Sequence, residues 1–333
     1  RSTLFPYTTL FRSGSCGAEK VPKPADKELG RCLKAEDSAV DLYCDFLLST
    51  VDYRLDGMKV VLDCANGASY IAAPHVYRSL GAEVTVIGDR PDGVNINDNI
   101  GSTHPGKLQA KVLETGADIG LAFDGDADRL IVVDEKGEII DGDKAICLCA
   151  ATLRKEGRLY KGRVTATVMS NIGFHKYITE KLGGCVDVTA VGDRYVLESM
   201  LKTGSVIGGE QSGHIIFRDY TTTGDGTLSS LQFIKALLGS GRKASELSAE
   251  VELFPQVLVN AKVKNESKAV FMEDPEVKQA ISKAEAELNG DGRVLIRPSG
   301  TEPLARVMIE GKDAAQIKTM AEEIAGLISR KYM

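Results

Sequence analysis

The stretch "LAFDGDADRLIVV" (Leu121–Val133) places Asp124, Asp126 and Asp128 within five residues, with Arg129 directly after them and apolar runs on both sides. An apolar run that stops at a polar knot and resumes beyond it reads as two strands joined by a loop. Outward from this point the pattern repeats. "MKVVLDCANGAS" (Met58–Ser69) is a short apolar run entering a glycine-containing turn, and "YIAAPHVYRSLG" (Tyr70–Gly81) is a helix ending at glycine. "AEVTVIGD" (Ala82–Asp89) is a strand, "GKLQAKVLETG" (Gly106–Gly116) a helix, and "ADIGLAFD" (Ala117–Asp124) the strand that runs into the knot. "RLIVVDEKGEII" (Arg129–Ile140) reads as strand, turn and strand. Alternation of strand and helix predicts a mostly parallel α/β sheet.

A second alternation follows. Helices are expected over Asp143–Gly157, Phe174–Gly183, Tyr195–Gly204 and Thr227–Gly241, and strands over Gly162–Ser170, Cys185–Val191 and Ser205–Glu210. The two α/β units are candidates for an internal duplication. From Gln256 the style changes to three strands, Gln256–Asn265, Gly292–Gly300 and Leu304–Gly311, and two amphipathic helices, Pro275–Gly290 and Ala314–Met333. The fold class is therefore α/β, two tandem α/β domains followed by a C-terminal α+β domain.

Composition narrows the function. The chain has 333 residues, 43% hydrophobic and 26% charged, with a formal net charge of −6 and no Trp. That length suits two or three domains. An acidic balance and few aromatics argue against nucleic acid as a partner. No apolar run approaches membrane-spanning length, so no membrane partner is expected. Seven scattered cysteines without a CxxC pair read as reduced thiols of a cytoplasmic protein.

Three carboxylates at i, i+2 and i+4 suit a hard divalent cation such as Mg²⁺. One Mg²⁺ leaves a net −1, so a phosphate bound there would need a further cation, which Arg129 could supply. Other readings stand beside this one. Asp124, Asp126, Asp128 and Glu135 fall at EF-hand positions 1, 3, 5 and 12, although Arg129 occupies the position where glycine makes the turn. The knot could hold a phosphatase nucleophile, or be a solvated acidic turn. Its place at the carboxyl end of a strand favours a ligand.

Two further motifs carry chemistry. "GGEQSGHIIF" (Gly208–Phe217) follows a strand; if extended, Glu210, Ser212 and His214 project to one side and suit a polyhydroxylated ligand. "RPSGTEPLARV" (Arg297–Val307) offers Arg297, Ser299, Gly300, Thr301 and Arg306 to one anion through backbone N–H groups, hydroxyls and guanidinium forks. In "VGDRYV" (Val191–Val196), Arg194 could reach a phosphate or be a solvated surface arginine.

Taken together and in this order, DGDADR, GEQSGH and RPSGTEP resemble the metal, sugar and phosphate loops of the α-D-phosphohexomutase superfamily, and the resemblance covers about Asp37 to Met333. It implies three α/β domains and a smaller C-terminal one around a cleft. It implies transfer of phosphate between O6 and O1 of a hexose phosphate by a phosphoserine, through a bisphosphate intermediate. "VVLDCANGAS", "GSTHPGKLQ", "TTTGDG" and "FPQVLVN" point to the amino-sugar members, acting on glucosamine 6-phosphate and glucosamine 1-phosphate, with phosphomannomutase or phosphoglucomutase chemistry and a non-catalytic sugar-phosphate-binding remnant as the alternatives. On this resemblance Asp124, Asp126 and Asp128 hold one Mg²⁺ per chain, Arg129 supports catalysis, and Glu210, Ser212 and His214 read the sugar. Arg297, Ser299, Gly300, Thr301 and Arg306 grip the phosphate that is not reacting. The expected partners are a hexosamine phosphate, its bisphosphate and a second copy of the chain.

The departures are as clear. Nothing of the form T-A-S-H-N-P, which carries the family's nucleophilic serine, occurs in the sequence. Ile100 and Gly106 stand where a small or thiol residue and an acidic one are expected. "RSTLFPYTTLFRS" (Arg1–Ser13) fits no element and is expected to be non-native. The expected domains are thus 1–13 outside the fold, 14–55 a remnant and exit helix of a mostly missing first domain, 56–153 the metal-binding α/β domain, 154–255 the sugar-recognition α/β domain and 256–333 the phosphate-binding domain. The chain alone is expected to be inactive.

Overall fold

The computed structural model describes residues 38–268, 270–299 and 302–333. The segment 1–13, the remnant as far as residue 37, Cys16, Cys32, Gly300 and Thr301 therefore lie outside the described residues.

Helix α1 (Ser38–Ser49) leads into a five-stranded sheet of β1 (Lys59–Asp63), β2 (Glu83–Ile87), β3 (Ile119–Ala122), β4 (Ile131–Asp134) and β5 (Ile139–Ile140), in the order β2-β1-β3-β4-β5. The first three strands are parallel and β4 and β5 antiparallel. Crossovers run through α2 (Ser69–Ser79) and α3 (Gly106–Thr115). Gly116 ends α3 in the left-handed conformation, as the glycine stop anticipates. Every residue of β3 and β4 is buried, which explains their apolar sequence up to Asp134 at the end of β4.

The second sheet holds β6 (Arg163–Thr167), β7 (Cys185–Thr189), β8 (Ile207–Gly209) and β9 (Ile215–Phe217) in the order β7-β6-β8-β9. Again three strands are parallel and the last is antiparallel. Strand by strand this repeats β2-β1-β3-β4, the topology a duplication would leave. Its helices are α4 (Gly142–Lys155), α5 (Ile172–Lys176), α6 (Asp193–Thr203), α7 (Gly226–Ser240) and α8 (Ala244–Ser248). The helix expected over Phe174–Gly183 begins earlier, at Ile172, and loosens into a π turn at Tyr177–Lys181. That turn keeps both Tyr177 and Ile178 buried while Lys181 reaches Glu250.

The two α/β units share one apolar core, running from Cys44 and Leu47 on α1 through Phe123 and Leu130 to Phe233 on α7. Tyr53 Oη donates to the Leu231 carbonyl at 2.7 Å and Tyr77 Oη to Ser230 Oγ at 2.7 Å, so buried phenols also stitch α7 to the first unit.

The third sheet is antiparallel, β10 (Gln256–Lys262), β12 (Leu304–Gly311) and β11 (Gly292–Pro298), covered by α9 (Pro275–Leu288) and α10 (Ala314–Tyr332) over its own core. Asp274 caps α9 and Pro275 opens it. A polar junction joins this domain to the second sheet. Buried Asn171 donates to the Phe254 carbonyl and accepts from the Phe254 and Gly173 amides, each at 2.9 Å. Buried Glu310 takes Arg293 Nε at 2.7 Å and the Ile172 amide at 2.9 Å.

Candidate functional site

The metal and sugar loops occupy equivalent places in the two related sheets. Residues 123–130 join β3 to antiparallel β4, and residues 210–214 join β8 to antiparallel β9. Both leave the carboxyl ends of parallel strands, where open α/β sheets bind ligands. The two tips touch: Arg129 and His214 form an antiparallel bridge, and the Leu130 amide donates to the Gly213 carbonyl at 3.0 Å. Gly213 has φ +95°, and a side chain there would strike the Leu130 backbone.

The three aspartates converge. Asp124, Asp126 and Asp128 can place one carboxylate oxygen each within 4.8 Å of one another. Ala127, between the last two, takes the unusual left-handed φ of +61°, which folds the chain back so that alternate side chains meet. Asp124 is buried, Asp128 half-buried and Asp126 exposed. Burial, then the neighbouring Asp128 and Asp126, pushes the Asp124 carboxyl up to about 6. Arg129 relieves part of this: its amide donates to Asp124 Oδ1 at 3.1 Å, and its Nε lies 3.5 Å from Asp124 Oδ2 and 3.9 Å from Asp128 Oδ1. The buried Asp128 Oδ1 still has no hydrogen-bond partner. An all-oxygen donor set with an orphaned buried carboxylate oxygen fits a hard divalent cation.

The EF-hand alternative fails on geometry. Glu135, which would supply the bidentate ligand, instead accepts from Ser245 Oγ at 2.5 Å and the Ser245 amide at 3.1 Å. Residues Ile131–Asp134 form a buried strand rather than a calcium loop.

The sugar loop differs from its extended reading. Glu210–Gly213 is a tight turn, with the Gly213 amide donating to the Glu210 carbonyl at 3.0 Å. Across that turn the Glu210 amide donates to the His214 carbonyl at 3.0 Å, so the two residues face each other over the hairpin. Glu210 and Ser212 stay together, Oγ to Oε2 at 3.4 Å, and Glu210 Oε1 accepts from the Gly192 amide at 2.9 Å. His214 is only 4% exposed and faces the metal loop, Nε2 lying 3.5 Å from Asp128 Oδ2. At 3.2 Å the Gly224 amide donates to the same Nε2, which makes that nitrogen an acceptor and leaves the ring proton to Nδ1, an atom buried without a hydrogen-bond partner. Gln211 ties the turn to the N-terminus of α4 through Asp141, at 3.3 Å.

Arg194 sits at the start of α6, exposed and paired with Glu198 at 2.7 Å. Its turn adjoins Glu210 through Gly192, but Arg194 itself makes no contact there. In the phosphate loop, Arg297 and Arg306 are direct cross-strand partners on β11 and β12. Like charges directly opposite are unfavourable unless an anion lies between them. Glu302 takes one arginine at 3.4 Å from Arg306 Nη2. Ser299 is buried, with Oγ accepting the Glu302 amide at 3.2 Å and its carbonyl held by Lys268 Nζ at 2.8 Å.

"TTTGDG" (Thr221–Gly226) enters the sequence reading only as a mark of the resemblance, with no residue of it assigned to the site, although it carries two glycines flanking an aspartate ahead of a helix. The Gly226 amide donates to the Ala127 carbonyl at 2.8 Å, and Gly224 holds His214.

Residues 141–254 match the family description "Phosphoglucomutase/phosphomannomutase, alpha/beta/alpha domain III", residues 41–137 its domain II, and residues 258–327 its C-terminal domain. The chain is 56% identical over 312 residues to a phosphoglucosamine mutase of Thermoanaerobacter sp., covering 94% of this chain and 69% of that protein. It is 53% identical over 309 residues to the phosphoglucosamine mutase of Clostridioides difficile, covering 92% and 68%. The fold resembles Aspergillus fumigatus N-acetylphosphoglucosamine mutase, solved with GlcNAc-6P and magnesium, at a TM-score of 0.70 and 20% identity over 89% of this chain and 65% of that one. The chain thus spans about two thirds of the length of these relatives. With three successive family domains and relatives above half identity, the chain belongs to the phosphoglucomutase/phosphomannomutase family.

Proposed function

We propose that the protein interconverts glucosamine 6-phosphate and glucosamine 1-phosphate, and that this chain supplies the metal, sugar and phosphate loops of that reaction. The observation that carries the reading is the contact of the two loop tips, which sets the aspartate cluster against the turn holding Glu210, Ser212 and His214. The named relatives above half identity support the amino sugar over glucose or mannose.

Asp124, Asp126 and Asp128 would hold one Mg²⁺, which when bound neutralises charge on a transferring phosphoryl group. Arg129 keeps a guanidinium beside the same carboxylates and can turn toward a phosphoryl oxygen. Glu210 and Ser212 offer an acceptor and a hydroxyl to sugar hydroxyls, and Gly192 fixes the carboxylate that presents them. Arg297 and Arg306, set opposite each other, grip the phosphate that is not reacting. Gly300 and Thr301 take the part in that grip which the sequence resemblance gives them. Transfer of this kind depends on positioning more than on covalent chemistry, apart from the serine.

The phosphoserine is assigned to residues not among these 333. The test compares turnover of glucosamine, glucose and mannose 6-phosphates by the protein complete with its serine. The reading expects the glucosamine substrate to lead by at least tenfold in kcat/KM; equal rates, or preference for mannose, overturn it. Turnover of glucosamine 6-phosphate by the 333-residue chain alone would overturn the assignment of the serine.

A further inference from the structure

Three consecutive residues outside the metal, sugar and phosphate loops tie two parts of the site to helices α7 and α1. The Gly224 amide donates to His214 Nε2 at 3.2 Å. A side chain at 224 would strike the imidazole and the Asp128 carbonyl, so only glycine lets the loop lie this close. The Gly226 amide donates at 2.8 Å to the carbonyl of Ala127, the residue whose left-handed turn brings the aspartates together. A side chain at 226 would strike the Arg129 carbonyl and Phe123. Between them, Asp225 Oδ1 caps α7 by accepting the Leu228 amide at 2.9 Å, while Oδ2 accepts Tyr43 Oη at 2.8 Å. Tyr43 lies on α1, 182 residues away in the chain.

We propose that Gly224–Gly226, anchored to α1 by Tyr43, is a positioning element that holds Ala127 in its turn and His214 in the Nδ1–H tautomer, and so sets the geometry of Asp124 and Asp128 for a cation. The cation rests on the functional reading above; the tautomer does not. A helix cap alone needs neither glycine nor a phenol on the far carboxylate oxygen. Asp225 is buried enough that its carboxyl is pushed above the usual range, so losing the phenol leaves an acceptor oxygen unpaired.

Tyr53 provides the control. It makes the same kind of bond to the same helix, Oη to the Leu231 carbonyl at 2.7 Å, but Leu231 makes no hydrogen bond to the metal loop. Tyr43→Phe and Tyr53→Phe are compared by Mn²⁺ titration followed by electron paramagnetic resonance, with thermal melting of the metal-free chains alongside. Tyr43→Phe is expected to weaken Mn²⁺ about tenfold, the scale of one hydrogen bond to a charged group. Tyr53→Phe should lower the melting temperature comparably and leave Mn²⁺ affinity within about twofold of the parent. Equal losses of affinity in both variants, or none in either, overturn the positioning role. The second readout is the ¹⁵N shifts of the His214 ring, assignable among only four histidines. An acceptor-type Nε2 and protonated Nδ1 are expected; protonated Nε2 overturns the proposal even if the cation binds. Absence of Mn²⁺ binding by the parent chain, with the expected tautomer present, overturns the cation reading and confines the element to His214.

Discussion

Replacing Asp124 by Asn separates the cost of the aspartate cluster from its use. In the folded, metal-free chain the Asp124 carboxyl titrates near about 6, pushed up first by burial and then by Asp128 and Asp126. Unfolded, it titrates near about 4. The folded state therefore holds this proton more tightly. Stability from the group is present below about pH 4 and falls as the pH rises through about 6. A shift of about two units amounts to about 3 kcal/mol, and to about 2 kcal/mol once screening at exposed Asp126 is allowed for. Asp124→Asn removes that penalty and keeps an oxygen to accept the Arg129 amide. The metal-free variant is expected to be about 2 kcal/mol more stable than the parent at pH 7.5, and no more stable at pH 4. Mg²⁺ at about a hundred times its dissociation constant should stabilise the parent by about 2.7 kcal/mol and the variant not at all. Denaturant melts at both pH values, with and without Mg²⁺, read all four quantities. A metal-free variant less stable than the parent at pH 7.5, or one still stabilised by Mg²⁺, refutes the reasoning.

Other outcomes follow from the same geometry. Arg306→Ala should weaken binding of a sugar phosphate by tenfold or more in calorimetry, because one of two opposed guanidinium forks is lost; it should leave Mg²⁺ affinity unchanged, since the arginine lies on another sheet. Asn171→Ala strips two hydrogen bonds to Phe254 and the cap on the Gly173 amide, and should cost about 2–4 kcal/mol in thermal or denaturant unfolding. Gly213→Ala should disrupt the contact of the two loop tips, lowering affinity for Mg²⁺ and sugar phosphate together, because its φ is positive and Leu130 fills the space.

Much of the architecture was legible because the apolar runs alternate so regularly with helical patterns. β3 and β4 are buried throughout and are legible as strands from short apolar runs, IGLA and IVV, the second closed by buried Asp134. The kinship of the two α/β units in topology is legible as repeated alternation, and their strand orders match. The aspartate cluster was legible because i, i+2 and i+4 carboxylates need only one left-handed residue to converge, and Ala127 provides it. The shape of the sugar loop is not legible from alternation, because alternation along the chain implies one face only in an extended strand and residues 210–213 form a turn. Gly213 turns the backbone, so that His214 pairs with Glu210 across the hairpin while its ring reaches the metal loop. The Tyr43–Asp225 link was out of reach, since no local pattern connects residues 182 positions apart. The π turn at Tyr177–Lys181 likewise answers to tertiary packing, not to helical spacing.

The central claim is that the aspartate cluster and the arginine pair serve one phosphorylated amino sugar. Calorimetric titration of the 333-residue chain with glucosamine 1,6-bisphosphate, with and without Mg²⁺ and beside glucose 1,6-bisphosphate, tests it most directly. The account predicts binding that tightens with Mg²⁺, weakens in Asp124→Asn and Arg306→Ala, and favours the amino sugar. Binding indifferent to Mg²⁺ and to both substitutions, or no tighter than that of inorganic phosphate, would contradict it.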